Sequence, residues 1–280
     1  MIRLVATDFD GTLYSPENPI GEADRRTLEW LGNKGICRVL VTGRNLYSAW
    51  KRLEPDFPID YLIFSNGAGL LDWRSKKLLR RSLLSADETY DITELLLIQD
   101  MDFMLHMPIP LNHYFFYHTS YRQPQGDLKR RIDIYKPFTA PLDYLPDWGM
   151  PSTQFLVVYH PGEENYYNLH EIRENFTVIR TTSVLDGITT WMEIFPAGVN
   201  KATALQLLGE RLGQQCENIL VLGNDYNDLP MLEWSPNAWV VGNAPADLKS
   251  RFSATVACGQ APLWQVCRKY FPELESVYQG

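Results

Sequence analysis

Short apolar runs alternate with segments of helical periodicity in the N-terminal part of the chain. Each run ends in a polar turn signal, which is the pattern of a buried strand. The runs are Ile2–Thr7, Ile36–Val41 and Tyr61–Phe64. Between the first two, Glu22–Lys34 places Leu28 and Leu31 on one helical face. Since strands that alternate with helices form βαβ units, this pattern predicts a parallel sheet.

The alternation changes in the middle of the chain and returns near Trp191. The intervening sequence is rich in aromatic residues, Met and Pro, and it ends in a second α/β unit with a helix predicted at Glu163–Glu174. After it come a strand at Trp191–Phe195, a helix at Lys201–Leu212 and a strand at Asn218–Leu222. We therefore predict an α/β fold whose core consists of residues 1–83 and 190–280, with a second domain, residues 84–189, inserted between them.

Composition and charge exclude some classes of partner. The 280 residues are 45% hydrophobic and 21% charged, which is ordinary for a globular protein. The formal net charge of −8 argues against a nucleic-acid-binding protein, because binding would release few phosphate counterions. It does not argue against a phosphorylated substrate, since a pocket can be positive inside an acidic protein.

Cysteine spacing and hydropathy bear on the compartment. The cysteines are Cys37, Cys216, Cys258 and Cys267. They are scattered and form no Cys-x-x-Cys pair, so we expect neither a zinc site nor a disulfide framework, and we expect a reducing, cytoplasmic compartment. The first apolar run is cut short by Thr7 and Asp8, so no signal peptide is expected, and no stretch is long enough to span a bilayer.

The first predicted strand continues directly into the motif D-F-D-G-T at Asp8–Thr12. A plain polar turn is one interpretation of this motif. A calcium-binding loop is not, because an EF-hand that starts at Asp8 would need Gly at Leu13 and Glu at Pro19. Ligands of open parallel sheets bind at the carboxyl ends of the strands. Two carboxylates two residues apart at that position can hold Mg²⁺ while one attacks a substrate as the nucleophile and the other transfers protons.

Four motifs, in this order and spacing, resemble those of the haloacid dehalogenase superfamily, specifically its Cof-like phosphatases with a large inserted α/β cap. The motifs are D-x-D-G-T at Asp8–Thr12, an apolar strand ending in Thr-Gly-Arg at Val39–Arg44, a Lys that opens a helix at Lys201, and G-D-x-x-N-D at Gly223–Asp228. Asn66–Ala68 and Gly242–Ala244 match stretches typical of the same subfamily. The resemblance implies a Rossmann-like parallel-sheet core and a cap formed by residues 84–189.

This resemblance implies hydrolysis of a small phosphorylated metabolite, such as a sugar phosphate, through an aspartyl phosphate. Asp8 would attack phosphorus, and Asp10 would protonate the departing oxygen and then deprotonate the attacking water. The hydroxyl of Thr42 and the ammonium of Lys201 would hold the phosphoryl oxygens and offset their charge. The family's dehalogenases lack the second acid, so Asp10 favours a phosphatase. The implied substrate-binding residues are Gly43, Arg44, Asn66, Gly67 and Asn227. The alternative interpretation of Arg44 is a cation on the protein surface.

The resemblance also implies Mg²⁺ as the cofactor, held by Asp8, the backbone carbonyl of Asp10 and the fourth motif. Where the family's motif has a metal-binding Asp after the Gly, this chain has Asn224, with Asp225 one place later. Either Asn224 binds the cation through its carbonyl oxygen, or Asp225 or Asp228 supplies the negative ligand.

Two other functions stay open at this point. A phosphohexomutase would share the D-x-D-G-T motif but would need a bisphosphorylated activator. A non-catalytic metabolite sensor would account for Asn224, although all four candidate catalytic residues are present. The expected partner is a small phosphorylated metabolite, with neither nucleic acid nor a membrane. The sequence names neither the substrate nor the oligomeric state.

Overall fold

The computed structural model describes residues 1–121, 124, 126–142, 149–159, 169–182 and 189–278. Within these residues the strands are β1 (Leu4–Asp8), β2 (Cys37–Val41), β3 (Tyr61–Phe64), β4 (Gly69–Asp72), β5 (Lys77–Arg81), β6 (Phe103–His106), β7 (Phe115–His118), β8 (Thr139–Pro141), β9 (Gln154–Tyr159), β10 (Thr177–Thr182), β11 (Thr190–Phe195), β12 (Ile219–Gly223), β13 (Asn237–Val240) and β14 (Ser253–Ala254). The helices are α1 (Glu22–Asn33), α2 (Leu46–Trp50), α3 (Ala86–Ile98), α4 (Gly126–Ile134), α5 (His170–Asn175), α6 (Lys201–Arg211), α7 (Leu229–Trp234), α8 (Ala246–Arg251) and α9 (Pro262–Tyr270).

The chain forms two compact units. The first consists of Met1–Arg44, Arg52–Arg80 and Asn200–Gly280, and the second of Asn45–Lys51 and Arg81–Val199. Each unit has its own sheet and its own apolar core. Within the described ranges, no helix combines the length and the apolar character needed to cross a membrane.

An eight-stranded sheet with the order β14-β13-β12-β1-β2-β3-β4-β5 forms the centre of the first unit. The strands from β14 to β3 are parallel, and β4 pairs antiparallel with β3. This arrangement confirms the predicted α/β fold with a parallel-sheet core. Strand β1 lies between β12 and β2, and all five of its residues are buried.

Apolar side chains from the central strands and from α6 form the core of this unit. Core residues that are at most 1% exposed include Leu4, Val41, Ile63, Leu205 and Val221. Burying one such side chain stabilises the fold by about 1.5–3 kcal/mol, so this core holds β1, β2 and β12 side by side. The carboxyl ends of these strands therefore meet at one edge of the sheet, where Asp8, Thr42 and Asn224 lie.

The second unit contains a six-stranded sheet with the order β10-β11-β9-β6-β7-β8. Its strands are antiparallel except for the parallel pair β7–β8. Side chains alternate between the two faces with the period of two that a strand imposes. One face packs against Ile92 of α3 and Ile172 of α5, and the other against Leu128 of α4 and Tyr47 of α2.

Three stretches lie outside the unit to which the sequence pattern assigned them, namely residues 45–51, 81–83 and 190–199. Strand β11 (Thr190–Phe195) pairs with β9 and β10, so its predicted place in the core sheet was wrong. An apolar run identifies a strand but not the sheet that the strand joins. The segment Asn45–Lys51 also belongs to the second unit. Of the predicted helix Glu163–Glu174, residues 163–168 lie outside the described residues, and α5 begins at His170.

A buried carboxylate caps helix α9 in the first unit. Asp24, in the first turn of α1, is 1% exposed and accepts the backbone N–H of Trp264 at 3.0 Å. The N-cap residue of α9 is Ala261, which has no side-chain oxygen, so Asp24 supplies the acceptor that this helix end needs. Burial raises the pKa of Asp24 to about 6, although backbone hydrogen bonds from Trp264 and Leu263 oppose the rise.

This raised pKa predicts a pH-dependent loss of stability. Because the folded chain raises the pKa of Asp24 above the ordinary value of 3.8, the stability that Asp24 contributes is fully present below that value and is lost as the pH rises through about 6. The variant Asp24→Asn keeps an acceptor oxygen. We expect its free energy of unfolding to exceed that of the wild type by up to about 3 kcal/mol near about pH 8, and this difference to disappear near about pH 4. Urea unfolding of both proteins measures the difference. A difference in the free energy of unfolding that does not change with pH would contradict the raised pKa of Asp24.

Candidate active site

The loop after β1 carries both acidic residues of the first motif. Asp8 ends the strand and is 3% exposed, whereas the side chain of Asp10 is 34% exposed. The loop closes through a hydrogen bond from the backbone N–H of Gly11 to the carbonyl of Tyr14 at 2.7 Å. Gly11 has a φ of +76°, and a Cβ there would lie 2.4 Å from the Asn224 amide. Glycine is therefore required both by the turn and by the close approach of Asn224.

A buried ammonium group joins Asp8 to the fourth motif. The Nζ atom of Lys201 donates to Asp8 Oδ1 at 2.7 Å and to Asp228 Oδ1 at 2.6 Å, and the lysine side chain is fully buried. Lys201 begins α6, where Asn200 caps the helix by accepting the N–H of Thr203. Burial alone would lower the pKa of Lys201, but the two carboxylates outweigh burial and raise it above its ordinary value. Lys201 is therefore a positive charge fixed between two acids.

Asp8 lies in an environment that disfavours its ionised form. Burial and the Asp228 carboxylate raise the pKa of Asp8 to about 7, while Lys201 acts in the opposite direction. A carboxylate must be ionised to act as a nucleophile, and a second positive charge beside it would lower its pKa. The nucleophilic form of Asp8 would therefore be favoured by a bound cation.

Asp228 organises the loop that follows β12. Its Oδ2 accepts the backbone N–H of Asn224 at 2.8 Å and that of Asp225 at 3.2 Å, while its Oδ1 accepts from Lys201. A Cβ at Gly223 would lie 2.7 Å from the Asp228 side chain, so glycine leaves the room that this carboxylate occupies. The conformation of the loop therefore depends on both residues.

The side chain of Asn224 points into the same cluster of oxygens. One end of its amide lies 3.0 Å from Asp8 Oδ2 and 3.1 Å from the carbonyl oxygen of Asp10. The same end lies 3.2 Å from the hydroxyl of Thr12 and 3.3 Å from Asp228 Oδ2. The carbonyl and the two carboxylate oxygens can only accept hydrogen bonds. They are satisfied either by an amide nitrogen that donates to them or by a cation shared with the amide oxygen.

This set of donors fits a Mg²⁺ ion. Mg²⁺ takes oxygen ligands at about 2.1 Å in an octahedron, whose neighbouring oxygens are about 3 Å apart. The distances of 3.0 and 3.1 Å from the Asn224 amide match that spacing. The residues that would hold the cation are Asp8 through Oδ2, Asp10 through its carbonyl and Asn224 through its amide oxygen. This set differs from a cluster of three or more His, Cys, Asp or Glu side chains, of which the described part of the chain contains none.

The side chain of Asp225 contacts its own loop rather than the cluster of oxygens around the Asn224 amide. Its carboxylate accepts the backbone N–H of Tyr226 at 2.7 Å and caps the short turn that begins there. Of the three candidate ligands in the fourth motif, Asn224 lies against Asp8, and Asp228 is held by Lys201 and by the loop. That Asn224 rather than Asp225 binds the cation stays a prediction.

Thr42 and Arg44 follow β2 at the same edge of the sheet. Thr42 is 1% exposed, and its hydroxyl accepts the backbone N–H of Arg44 at 3.1 Å. The guanidinium of Arg44 makes a bidentate pair with Asp10, from Nε to Oδ2 at 2.7 Å and from Nη2 to Oδ1 at 2.6 Å. It also lies over the rings of Phe9 and Tyr14. Arg44 is therefore part of this cluster rather than an isolated surface cation, and it fixes the orientation of Asp10.

Gly43, Asn66 and Asn227 meet beside Thr42. The Nδ2 atom of Asn227 donates to Asn66 Oδ1 at 3.3 Å, and the backbone N–H of Asn66 donates to the Thr42 carbonyl at 3.1 Å. A Cβ at Gly43 would approach Asn66 Oδ1 to 3.1 Å. The structure thus brings these predicted substrate-binding residues together. Their contact with a substrate stays a prediction.

Gly67 has a packing role that the sequence did not indicate. It adopts a φ of +103°, and a Cβ there would lie 2.3 Å from the backbone carbonyl of Asn200. Because Asn200 caps the helix that Lys201 begins, we expect the close approach at Gly67 to help position the ammonium group.

Replacement of Gly67 by Ala should therefore displace Lys201 from Asp8. We expect turnover to fall roughly 10²-fold, as for other misplacements of about 1 Å in an active site. Gly198→Ala is the matched control, because Gly198 also has a positive φ (+76°) but no atom within 4 Å of its Cβ position. This control measures backbone strain alone, about 1–2 kcal/mol. Phosphate release and urea unfolding report on both variants, and equal turnover in the two would refute the positioning role.

Asn243 connects the first motif to the loop after β13. Its Nδ2 donates to the carbonyl of Gly11 at 2.8 Å, and its Oδ1 accepts the backbone N–H of Cys258 at 2.8 Å. Sequence reasoning noted the stretch Gly242–Ala244 but assigned no role to its Asn. The contact partner of a loop amide is not encoded in the local pattern.

Comparison with known proteins identifies the family. The family model of haloacid dehalogenase-like (HAD) hydrolases matches residues 5–259. The chain belongs to this family. It is 25% identical to the 5-amino-6-(5-phospho-D-ribitylamino)uracil phosphatase of Bacillus subtilis, over 87% of this chain and 85% of the relative. It is 26% identical to the HMP-PP phosphatase of Escherichia fergusonii, over 89% and 88% of the two chains.

Solved structures share the HAD fold of this chain. A phosphatase of the superfamily from Bacteroides thetaiotaomicron superposes with a TM-score of 0.77 at 22% identity, covering 97% of this chain and 96% of that chain. A sugar phosphatase of HAD subclass IIB superposes with a TM-score of 0.73 at 18% identity. The resemblance drawn from the four motifs is thereby confirmed, and this chain is a haloacid dehalogenase-like hydrolase.

Proposed function

We propose that this HAD phosphatase is a Mg²⁺-dependent phosphomonoester hydrolase that transfers the phosphoryl group of a small metabolite to Asp8 and then to water. The observation that carries the proposal is the contact of Asp8 with Lys201 at 2.7 Å and with the Asn224 amide at 3.0 Å, at the carboxyl end of the central strand. A buried carboxylate between a fixed positive charge and oxygens suited to a cation is equipped to attack a phosphate ester.

In the first half-reaction, Asp8 attacks phosphorus in line while the bond from phosphorus to the ester oxygen breaks. The departing oxygen takes a proton from Asp10, whose position is fixed by Arg44. Lys201 and the hydroxyl of Thr42 stabilise the charge on the phosphoryl oxygens. Bound Mg²⁺ supplies charge that offsets the repulsion between the carboxylate and the phosphate.

In the second half-reaction, water attacks the phosphorus of the aspartyl phosphate and the bond from phosphorus to the Asp8 oxygen breaks. Asp10 accepts the proton of the water, so it returns to the protonated form that the first half-reaction requires. Inorganic phosphate leaves, and Asp8 is regenerated as a carboxylate.

The names of the relatives support a small phosphorylated metabolite as the substrate. They are phosphatases of 5-amino-6-(5-phospho-D-ribitylamino)uracil and of HMP-PP, and a structural neighbour is a sugar phosphatase. We propose a sugar phosphate or a similar metabolite, selected by the predicted cap, residues 84–189. We also propose a reducing, cytoplasmic compartment, on the ground that the four cysteines are scattered along the sequence without a Cys-x-x-Cys pair.

Phosphate release from a panel of phosphorylated metabolites in the presence of Mg²⁺ tests this proposal. We expect at least one member to be hydrolysed, and the rate to be lost in Asp8→Asn and on chelation of the cation. Transfer that occurs only with a bisphosphorylated activator would indicate a phosphohexomutase instead. Binding of a metabolite without turnover of any panel member would indicate a sensor.

A further inference from the structure

We propose that the Asn224 carboxamide acts as a reversible substitute for the cation. Without a cation, its NH₂ group donates to the oxygens of the site; with a cation bound, the amide turns over and presents its oxygen as a ligand. This inference rests on the cation site proposed above, and it concerns the one position at which the fourth motif of this chain departs from its family.

The contacts of the two buried carboxylates carry the inference. Asp8 and Asp228 each place Oδ1 on Lys201, at 2.7 and 2.6 Å, and each place Oδ2 near the same end of the Asn224 amide, at 3.0 and 3.3 Å. Lys201 and Asn224 therefore hold the two acids together from opposite oxygens. Lysine brings a full positive charge to this pair, whereas the amide brings only the partial positive charge of its N–H groups.

The orientation of the amide depends on whether positive charge is present. An amide oxygen at this end would face two carboxylate oxygens and the Asp10 carbonyl, and its single donor would be the hydroxyl of Thr12 at 3.2 Å. An amide nitrogen there can donate to the acceptors. Rotation about the bond from Cβ to Cγ exchanges oxygen and nitrogen in nearly the same positions, so the loop does not have to move.

An aspartate at this position could not make that exchange. In the absence of a cation, it would add a third carboxylate beside Asp8 and Asp228, against the one positive charge of Lys201 that contacts both of them. In the presence of Mg²⁺, it would supply a charged ligand in place of a neutral one. The carboxamide therefore stabilises the cation-free protein and weakens cation binding, and Asn224→Asp should reverse both effects.

Urea unfolding and calorimetric Mg²⁺ titration of the wild type and of Asn224→Asp test the inference without turnover. In a chelator we expect the variant to unfold at a lower urea concentration than the wild type. With Mg²⁺ we expect about 10-fold or tighter binding by the variant, because affinity rises with the charge of the ligands, and a correspondingly larger stabilisation. In the wild type, the side-chain NH₂ resonances of Asn224, assigned by their loss in the variant, should shift on Mg²⁺ addition.

Asp225→Asn is the matched variant, because it changes charge on the adjacent residue of the same loop. We expect its Mg²⁺ affinity to remain within about 2-fold of the wild type, since its acceptor role toward Tyr226 is kept. A large loss of affinity in Asp225→Asn, or an Asn224→Asp protein that matches the wild type in chelator, would overturn the inference. If the binding results hold while the metabolite panel shows no hydrolysis, only the proposed function fails.

Discussion

Replacement of Asp8 by Asn is expected to lower phosphate release by at least roughly 10⁴-fold while the chain stays folded. A carboxamide oxygen is a poor nucleophile and cannot form the aspartyl phosphate that water cleaves. Asp228 also contacts Lys201, but it is fully buried and its second oxygen accepts two backbone N–H groups. We therefore propose Asp8, rather than Asp228, as the attacking carboxylate.

The fold should tolerate this change because Lys201 keeps its contact with Asp228. Asp24→Asn is the matched control, since it makes the same substitution at another buried aspartate of the same unit and should keep full turnover. Urea unfolding of both variants checks that each is folded. More than trace activity in Asp8→Asn, measured beside an unaffected control, would rule out covalent catalysis through this residue.

Asp10→Ala is expected to lower turnover by roughly 10²–10⁴-fold on a substrate with an alkoxide leaving group. The loss should be smaller on nitrophenyl phosphate, because its leaving group departs without needing a proton. Steady-state rates on both substrates, taken over a range of Mg²⁺ concentrations, measure the two losses. Equal losses would show that Asp10 does not act as the general acid.

Asp10→Ala also leaves Arg44 without its bidentate partner, so a second variant separates the two effects. Arg44→Gln keeps the acid but removes the ion pair. We expect Arg44→Gln to slow the hydrolysis of both substrates by a similar factor, because it disturbs the position of Asp10 rather than proton transfer. If the loss of rate depends on the leaving group in Asp10→Ala but not in Arg44→Gln, that dependence is caused by the loss of proton transfer from Asp10.

The strand ends that form this site could be predicted from the sequence for a physical reason. Alternation of strands and helices places Asp8 and Thr42 at the carboxyl ends of neighbouring parallel strands, and such ends meet at one edge. Lys201 was identified through the resemblance to the family's third motif, a lysine that opens a helix. The structure brings Lys201 within 2.7 Å of Asp8, across 193 positions of sequence.

The remaining features depend on contacts that no local sequence pattern predicts. The side chain of Asn224 lies against Asp8, whereas that of Asp225 contacts its own loop, and Asp228 accepts the backbone N–H groups of both residues. The pairing of Arg44 with Asp10 joins residues 34 positions apart on two different loops. Strand β11 was assigned to the wrong sheet because its apolar pattern fits either.

The most direct test of the central claim is to trap the covalent intermediate. Asp10→Ala, which is expected to hydrolyse the intermediate slowly, is mixed with nitrophenyl phosphate and Mg²⁺, quenched in acid and analysed by mass spectrometry. We predict a burst of nitrophenolate equal to the enzyme concentration and a gain of one phosphoryl group on the peptide that contains Asp8. The double variant Asp8→Asn/Asp10→Ala should show neither. Nitrophenolate released by Asp10→Ala without any phosphorylated peptide, or with the phosphoryl group on another residue, would contradict the account.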